Sequence, residues 1–354
     1  MVGAMIPLMV SLYVRLHQNN KPKIAVITNC AVDFWTIAGK GAKAAAKDFN
    51  ADVDFRMPAL MTAAEQHRII EDLVARGIQG IAISVVDSAN QTSVLNRIIP
   101  ERVHFITQDG DLGEGSRRKC YIGTDNVSAG WRVGKLIREA IPDGGKIVIF
   151  VGKLDVSNAR ERRQGVIAAI AGLPLTQSKG DQAHKLASDP YPVALGKYTL
   201  IDTKTDNADK EKCYANVLDT LIKHPEVNCL VGLWGYNVPA MIAGVRREKR
   251  ENQIKLVGFD EEEMTLQGIK DGVVHASVVQ NPYVFGYESV HILDHCIKTN
   301  GNLPDDMPKN IELEKLSDGS HYFVAPRVIK KTDDGGLFDM DVDTFATDLK
   351  HKKG

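Results

Sequence analysis

Tryptophans and hydrogen-bonding side chains follow short apolar runs at several places along the sequence. Trp35 comes soon after the run Lys23–Thr28, and Trp234 ends the run Asn228–Trp234. An indole ring can stack on the C–H face of a flat ligand, and charged or amide groups can hydrogen-bond the hydroxyls around its edge. Groups suited to that second task follow other runs of the same kind: Asp109, Arg160, Asn237, Asp260 and Gln280. This combination predicts a site for a small, neutral, polyhydroxylated ligand such as a sugar.

Each of these residues also has a purely structural interpretation. An aspartate at the end of a strand often caps the next helix, which is the alternative for Asp260. Arg160 lies in a charged segment that would cover the solvated face of a helix, and Asn158 and Glu161 in that segment have the spacing of a capping box. Trp234 is equally suited to packing between a helix and a sheet. No single one of these residues is specific for a binding site. Such residues recur after several apolar runs, however, and that recurrence favours a binding site.

Sequence motifs of common enzyme classes do not appear. No G-x-G-x-x-G follows the first apolar run, no G-x-S-x-G occurs, and the ten histidines include no H-E-x-x-H. Gly144-Gly145-Lys146 precedes an apolar run instead of following one, which is typical of a turn and not of a phosphate-binding loop. We therefore expect a protein that is not an enzyme and that needs no cofactor.

The composition fits a globular protein of two domains. The chain has 354 residues, of which 44% are hydrophobic and 25% charged. Lys and Arg number 44 against 45 for Asp and Glu, so the net charge is −1. Because nucleic-acid binding usually needs a basic surface, we expect no nucleic-acid partner. The five cysteines lie far apart without a C-x-x-C motif and predict buried thiols and no metal site: Cys30, Cys120, Cys213, Cys229 and Cys296.

The chain alternates short β-branched runs with longer segments of helical periodicity. In the predicted helix Thr62–Arg76, for example, Ile69, Ile70, Leu73 and Val74 form one apolar stripe. Such alternation predicts β-α-β units, in which parallel strands form a sheet with helices on both faces. The predicted strands are Lys23–Thr28, Asp52–Met57, Gly80–Ser84, Val103–Asp109, Cys120–Thr124, Lys146–Gly152, Lys197–Thr203, Asn228–Trp234, Lys255–Asp260 and His275–Gln280.

These strands are too many for one sheet of this type, and the series divides near Gly123–Asn126. We therefore expect an α/β fold of two doubly wound parallel-sheet domains. No linker rich in Pro or Ser separates the halves, which favours a short hinge over a flexible tether. Ligands of such sheets bind beyond the carboxyl ends of the strands, where the candidate residues would gather.

The two ends of the chain differ from this pattern. Residues 1–20 contain an apolar run, Val2–Val14, that is shorter than the roughly 20 residues of a membrane-spanning helix. The run has the length of a signal-peptide core but no preceding basic residue and no clear small-x-small cleavage site. It favours a truncated signal or a short anchor over the alternative, a frayed extension with no role. The folded part should then begin near Lys21. Residues 332–354 end in Lys-His-Lys-Lys-Gly and are expected to form a mobile tail.

From about Lys23 to Lys331 the chain resembles the type I periplasmic substrate-binding proteins. The likeness is greatest to the ribose-binding-protein-like branch, which is shared with the effector domains of lactose-repressor-type regulators. The segments that carry it are Ile24–Ile27, Phe34-Trp35, Gly123–Asn126, Asn158–Arg162, Val257–Asp260 and Ser277–Gln280.

The resemblance implies two lobes joined by three hinge crossings. The crossings are expected near Gly123–Asn126, at Gln280–Asn281 and in about Leu313–Val324. The N-terminal lobe would then consist of residues 21–123 and 281–313. The C-terminal lobe would consist of residues 124–280 and 314–331.

The resemblance also implies roles for individual side chains. Phe34 and Trp35 would supply rings from the first lobe, and Ser84 a polar contact after the third strand. The segment Trp234–Asn237 stands where the family has an Asn-Asp pair. The family's sugar-bonding positions are matched by Asp109, Arg160, Asp260 and Gln280.

Two positions depart from the ribose-binding proteins. Val32 stands where those proteins have an asparagine, and Gly110 stands where they have an arginine next to the aspartate. Both changes remove a hydrogen-bonding group, so they favour a sugar other than ribose.

The implied function is transport. Such a protein, acting as a monomer in the periplasm or otherwise outside the cytoplasm, would deliver a monosaccharide to the membrane permease of an ABC transporter. A second candidate is the effector domain of a lactose-repressor-type regulator, which would need a helix-turn-helix module and linker of about 60 residues before the first strand. Only residues 1–22 precede Lys23. A third is a chemoreceptor-linked sugar-binding protein, which the sequence does not separate from a transport protein, and a fourth is an enzyme.

Overall fold

A computed structural model describes residues 21–309, 311–316, 319–331 and 340–341. The predicted signal or anchor, residues 1–20, lies outside this range. Of the predicted tail, residues 332–354, only Met340 and Asp341 are described, and they form a short strand. Among the described residues, no helix has both the length and the apolar sequence needed to cross a membrane.

The strands and helices alternate along most of the described chain. The strands are β1 (Lys23–Ile27), β2 (Asp52–Arg56), β3 (Gly80–Ile83), β4 (His104–Gln108), β5 (Cys120–Gly123), β6 (Gly145–Val151), β7 (Val193–Leu195), β8 (Tyr198–Thr205), β9 (Val227–Gly232), β10 (Lys255–Phe259), β11 (Val274–Val279), β12 (Ile311–Leu316), β13 (Gly319–Val324), β14 (Arg327–Lys330) and β15 (Met340–Asp341). The helices are α1 (Asp33–Asp48), α2 (Ala63–Ala75), α3 (Ser88–Ile98), α4 (Asn126–Ala140), α5 (Ser157–Ile170), α6 (Asp181–Ser188), α7 (Lys210–Lys223), α8 (Asn237–Arg247), α9 (Glu263–Lys270) and α10 (Pro282–Lys298).

The strands form two sheets, each in its own lobe. The first has the order β12-β13-β5-β4-β3-β1-β2, and the second has the order β15-β14-β11-β10-β9-β6-β8-β7. Neighbouring strands are parallel except in the pairs β12–β13, β11–β14 and β7–β8. The predicted α/β fold of two doubly wound domains is therefore confirmed, with antiparallel strands added near the sheet edges. All ten predicted strands are present, whereas β7 and β12 to β15 were not predicted.

Local sequence explains why these elements form. In α2 the predicted apolar stripe packs Ile70 and Leu73 into the core, and the Thr62 hydroxyl caps the helix by accepting the N–H of Glu65 at 3.3 Å. The strand β3 is buried along its whole length because helices cover both faces of the sheet. Its apolar sequence, without polar alternation, is typical of such a strand.

The chain passes between the lobes three times, after Gly123, after Val279 and after Val324. The third position differs from the sequence-based division, which placed the last crossing in about Leu313–Val324 and residues 314–331 in the second lobe. The hairpin of β12 and β13 instead belongs to the first sheet, where β13 pairs with β5. This pairing satisfies backbone groups that β5 would otherwise leave exposed at a sheet edge.

Glycines let two pairs of helices approach closely. A Cβ atom on Gly41 of α1 would lie 2.0 Å from the carbonyl oxygen of Tyr283 in α10, and one on Gly286 would lie 1.9 Å from that of Ala38. In the second lobe, a Cβ on Gly130 of α4 would lie 2.0 Å from the carbonyl oxygen of Arg162 in α5. Each helix pair therefore requires glycine at its contact.

We predict that Gly41→Ala destabilises the protein, because the added methyl must push α1 away from α10. Overpacking of this kind costs about 1–3 kcal/mol. Gly39→Ala in the same helix is the matched control, since its Cβ would meet the movable ring of Phe55 at 3.2 Å and alanine is the better helix former. Urea denaturation measures both variants. Equal free energies of unfolding for the two would contradict the close-packing argument.

Candidate functional site

A cavity lies between the lobes, at the carboxyl ends of the parallel strands of both sheets. Its volume is about 100 Å³, enough for several water molecules or one small solute, since one water needs roughly 10–15 Å³. The first lobe lines it with the segment after β1 and with Asp109 after β4. The second lobe contributes α5 and the segments after β8, β9, β10 and β11. Six of the nine predicted site residues line it: Phe34, Trp35, Asp109, Trp234, Asp260 and Gln280.

Asp109 is the buried carboxylate that the first lobe places in this cavity. Its Oδ2 accepts hydrogen bonds from the Ser84 hydroxyl at 3.4 Å and from Asn158 Nδ2 of the second lobe at 3.0 Å. The pKa of Asp109 is raised to about 6, chiefly by burial, which Arg162 opposes and the nearby Asp260 reinforces. Burial therefore makes the ionised form costly, and any donor that a ligand brings would favour it.

Arg162 is the buried cation of the site, and its side chain is 2% exposed. Its Nε donates to Asn126 Oδ1 at 2.9 Å, its Nη1 to the Leu233 carbonyl at 3.0 Å, and its Nη2 to Gln280 Oε1 at 2.9 Å. Nη2 also lies 3.6 Å from Asp109 Oδ1. The guanidinium thus joins the first lobe's carboxylate to the second lobe.

Asp260 and Gln280 continue this network on the side of the second lobe. Gln280 Nε2 donates to Asp260 Oδ1 at 2.9 Å, and Gln280 Oε1 also accepts the Thr124 hydroxyl at 3.0 Å. Burial raises the pKa of Asp260, while Arg162 and the Gln280 hydrogen bond lower it. Because Thr124 and Gln280 begin the first two crossings, the cavity residues are hydrogen-bonded directly to the connections between the lobes.

Arg160 does not reach the cavity, which corrects the sequence-based assignment. Its exposed side chain donates to the carbonyls of Leu154 and Asp155 at 2.9 and 2.7 Å. Residues two apart point to opposite sides of a helix, so Arg160 and Arg162 cannot face the same cavity. Asn158 lies four residues before Arg162 and does share its face. That spacing was the available sequence signal.

The predicted capping box of Asn158 and Glu161 is also wrong. The helix α5 begins at Ser157 with Val156 in the N-cap position, so Asn158 already lies inside the helix. Its amide is then free to contact Asp109 across the lobes. The capping interpretation failed because it placed the N-cap at Asn158, two residues after the observed N-cap, Val156.

Ser84 and Asn237 lie behind the cavity and do not line it. The fully buried Ser84 hydroxyl donates to Asp109 and accepts the Gly110 N–H at 3.2 Å. The side-chain amide oxygen of the fully buried Asn237 accepts the backbone N–H of Trp234 at 2.8 Å. Both side chains therefore fix a cavity residue in place.

Aromatic rings from both lobes line the cavity. In the first lobe, Phe34 packs edge-on against Trp35, with ring centroids 5.0 Å apart, and the Trp35 indole N–H donates to Asn29 Oδ1 at 2.8 Å. In the second lobe, the Trp234 ring lies over Gly152, where a Cβ atom would come within 1.9 Å of the ring. Glycine at that position is what leaves space for the indole.

Cysteines and other metal-ligating groups form no cluster in the part of the chain that the structure describes. All five thiols are free, and no group of three His, Cys, Asp or Glu side chains there is arranged to hold a metal ion. Cys30 lines the cavity, and burial raises the pKa of its thiol to about 12. The groups around the cavity are thus suited to stacking and hydrogen bonding.

Comparison with known proteins identifies a family match over most of the chain. The model of the periplasmic binding protein domain matches residues 24–301. The D-ribose/D-allose-binding protein of Pseudomonas aeruginosa is 24% identical over 76% of this chain and 81% of its own length. The ribose import binding protein RbsB of Salmonella typhimurium is 23% identical over 65% of this chain and 69% of its own.

Solved structures share the fold. An ABC transporter solute-binding protein from Burkholderia graminis, in complex with D-arabinose, superposes with a TM-score of 0.74 at 25% identity, covering 90% of this chain and 98% of that one. GanP, a glucose-galactose binding protein from Geobacillus stearothermophilus, has a TM-score of 0.72 at 24% identity, covering 89% and 99%. At this identity the second likeness concerns the fold alone.

We predict that Arg162→Met lowers the free energy of unfolding by roughly 3–5 kcal/mol at pH 8, because two buried carboxylates lose their cation. The loss should shrink at pH 5, where the raised pKa of Asp109 leaves that group protonated. The matched control is Arg160→Met in the same helix, expected to change stability by less than about 0.5 kcal/mol. Urea denaturation at both pH values measures the difference. A pH-independent loss, or equal losses for both variants, would contradict this explanation.

Proposed function

The chain belongs to the periplasmic binding protein domain family, and from that membership we propose that it binds a small sugar between its lobes and presents it to the permease of an ABC transporter. The observation that carries the proposal is the composition of the cavity. Aromatic rings from both lobes flank a group of carboxylate, guanidinium and amide side chains. Rings suit the C–H faces of a sugar, and the polar groups suit its hydroxyls.

The names of the related proteins support a sugar as the ligand. The two curated relatives are named for ribose and allose, and the Burkholderia protein was solved with D-arabinose. One relative is named as an import binding protein, which supports transport over an effector domain. A site outside the cytoplasm, where a permease takes up its substrate, agrees with the same membership.

Contacts across the cavity support binding by closure of the lobes. Asp109 belongs to the first lobe, whereas Asn158 and Arg162 belong to the second. A ligand can shift an open–closed equilibrium only through its different affinity for the two forms, so contacts to both lobes are required. The sugar would leave chemically unchanged, since Arg162 and Gln280 already engage the carboxylates that could otherwise act as acid or base.

We predict that at least one aldopentose or aldohexose stabilises the protein. A sugar at 100 times its dissociation constant should raise the free energy of unfolding by about 2.7 kcal/mol. Thermal unfolding with D-ribose, D-allose, D-arabinose, D-glucose and D-galactose tests this, with calorimetry to confirm the affinity. Chromatography after long incubation should recover the sugar unaltered. A protein that none of these sugars stabilises, or a processed product, would contradict the proposal.

We predict that sugar affinity falls as the pH drops below about 6, the value to which burial raises the pKa of Asp109. Hydroxyls that donate to this carboxylate favour its ionised form, so the complex has the lower pKa and binding at acidic pH must release a proton. The folding stability of the unliganded protein should change with pH in the opposite direction, falling as the pH rises. Because the folded pKa is raised, this group's contribution to stability is present below its ordinary pKa and is lost as the pH rises through about 6.

Asp109→Asn is the control for this pH dependence. The amide keeps the shape of the side chain but does not titrate, so its weaker affinity should vary less with pH between 5 and 7. Isothermal calorimetry at several pH values measures both proteins. An identical pH slope in the two would show that another group is responsible.

A further inference from the structure

A buried carboxylate, Asp206, lies behind the second-lobe wall of the cavity and was not among the predicted site residues. It follows β8 and is 1% exposed. Its Oδ1 accepts hydrogen bonds from the Tyr236 hydroxyl and from the Ala208 N–H, the latter at 2.9 Å. Tyr236 and Ala208 both line the cavity. One oxygen atom thus contacts two parts of the wall that come from different segments of the chain.

The turn that carries Ala208 has an unusual backbone conformation. Asn207 and Ala208 have φ values of +60° and +63°, a region that residues with a side chain adopt rarely. The turn is held at its start by the Gly152 carbonyl, which accepts the N–H groups of Asp206 and Asn207 at 3.2 and 2.8 Å. Asp206 holds it at the other end through Ala208. Without the Asp206 carboxylate, the N–H of Ala208 loses its hydrogen-bond acceptor.

The same hydrogen bond determines how Tyr236 is presented. Its hydroxyl is committed to Asp206, away from solvent, so the ring is what remains to face a ligand. Trp234 packs against this ring nearly edge-on, with centroids 6.2 Å apart and planes at 75°. Burial raises the pKa of Asp206 to about 6 and also raises that of Tyr236. In such a poorly solvated place a hydrogen bond is strong, and an unpaired partner is costly.

We propose that Asp206 is a positioning residue that fixes Tyr236, Trp234 and the Ala208 turn as one apolar wall of the cavity. This wall selects ligands with a C–H face, such as a pyranose or furanose ring, over extended polar molecules. The ligand preference rests on the proposed sugar-binding function, whereas the positioning of the wall does not.

The position of the wall is tested first, without any ligand. Trp35→Phe and Trp131→Phe together leave Trp234 as the single tryptophan of the full-length chain, which has three. In this background Asp206→Ala should shift the Trp234 emission to longer wavelength and increase its quenching by acrylamide. Asp206→Asn should restore both values, since its amide oxygen still accepts from Tyr236 and Ala208. Tyr236→Phe removes the same hydrogen bond from the other side and should act like Asp206→Ala, even if the alanine variant does not fold.

Asp209→Ala is the matched control for this measurement. Asp209 lies in the same turn and caps α7 by accepting the Lys212 N–H at 2.9 Å, but it does not contact Tyr236. Its loss destabilises the helix without moving the wall, so the emission should stay unchanged. An emission that responds equally to Asp209→Ala and Asp206→Ala, or to neither, overturns the positioning role.

Affinity is measured next on proteins that retain all three tryptophans, with D-ribose and D-arabinose as probes. Asp206→Ala should weaken binding of whichever sugar the unaltered protein binds by about tenfold, the equivalent of one lost hydrogen bond. Because the hydroxyl that Tyr236→Phe removes acts on the wall only through Asp206, the double variant Asp206→Ala/Tyr236→Phe should bind no more weakly than Asp206→Ala alone. Multiplying losses would overturn the proposal. If the unaltered protein binds neither sugar, the proposed function fails for these ligands, while the emission measurement still decides the role of Asp206.

Discussion

The buried guanidinium of Arg162 is the interaction on which the cavity depends. A charge removed from water is stable only if it is paired and hydrogen-bonded. Arg162 meets this condition with Asn126, Leu233 and Gln280 in the second lobe and with Asp109 in the first. The same contacts compensate Asp109, whose carboxylate would otherwise be buried alone. Each charged group at the centre of the molecule therefore requires the others to be in place.

This requirement connects ligand binding with the arrangement of the lobes. Asn126 and Gln280 adjoin the first two crossings, and Asp109 contacts Asn158 from the opposite lobe. Moving the lobes apart would separate Asp109 from Asn158 and Arg162, its partners in the second lobe, and expose it to water. Burial raises the pKa of Asp109 to about 6 in spite of Arg162, so the protein groups around it compensate its charge only partly. Hydroxyl donors from a sugar would complete the compensation, which is a physical reason for closure around a ligand.

The aromatic walls depend on a different kind of constraint, the exclusion of side-chain atoms. Trp234 occupies space that any Cβ on Gly152 would fill, and the Gly152 carbonyl also holds the turn after β8. The helices beside the walls pack closely for the same reason, through Gly41 and Gly130. The shape of the cavity thus depends on glycines, which have no Cβ atom, as much as on the residues that line it.

The sequence alone was sufficient for the fold class and for several of the residues that line the cavity. Apolar runs separated by helical periodicity identified ten strands, because period and burial are encoded locally. Placing polar and aromatic residues after those strands also identified Asp109, Asp260, Gln280 and both lining tryptophans, since parallel strands end at a common edge.

Tertiary structure alone decided the remaining points. The hairpin of β12 and β13 joins the first sheet through pairing with a distant strand, β5, which no local pattern records. The choice of Arg162 over Arg160 depended on the rotation of α5 about its axis, and the roles of Ser84, Asn237 and Asp206 on the direction of each side chain. Those directions are set by packing between segments that lie far apart in the sequence.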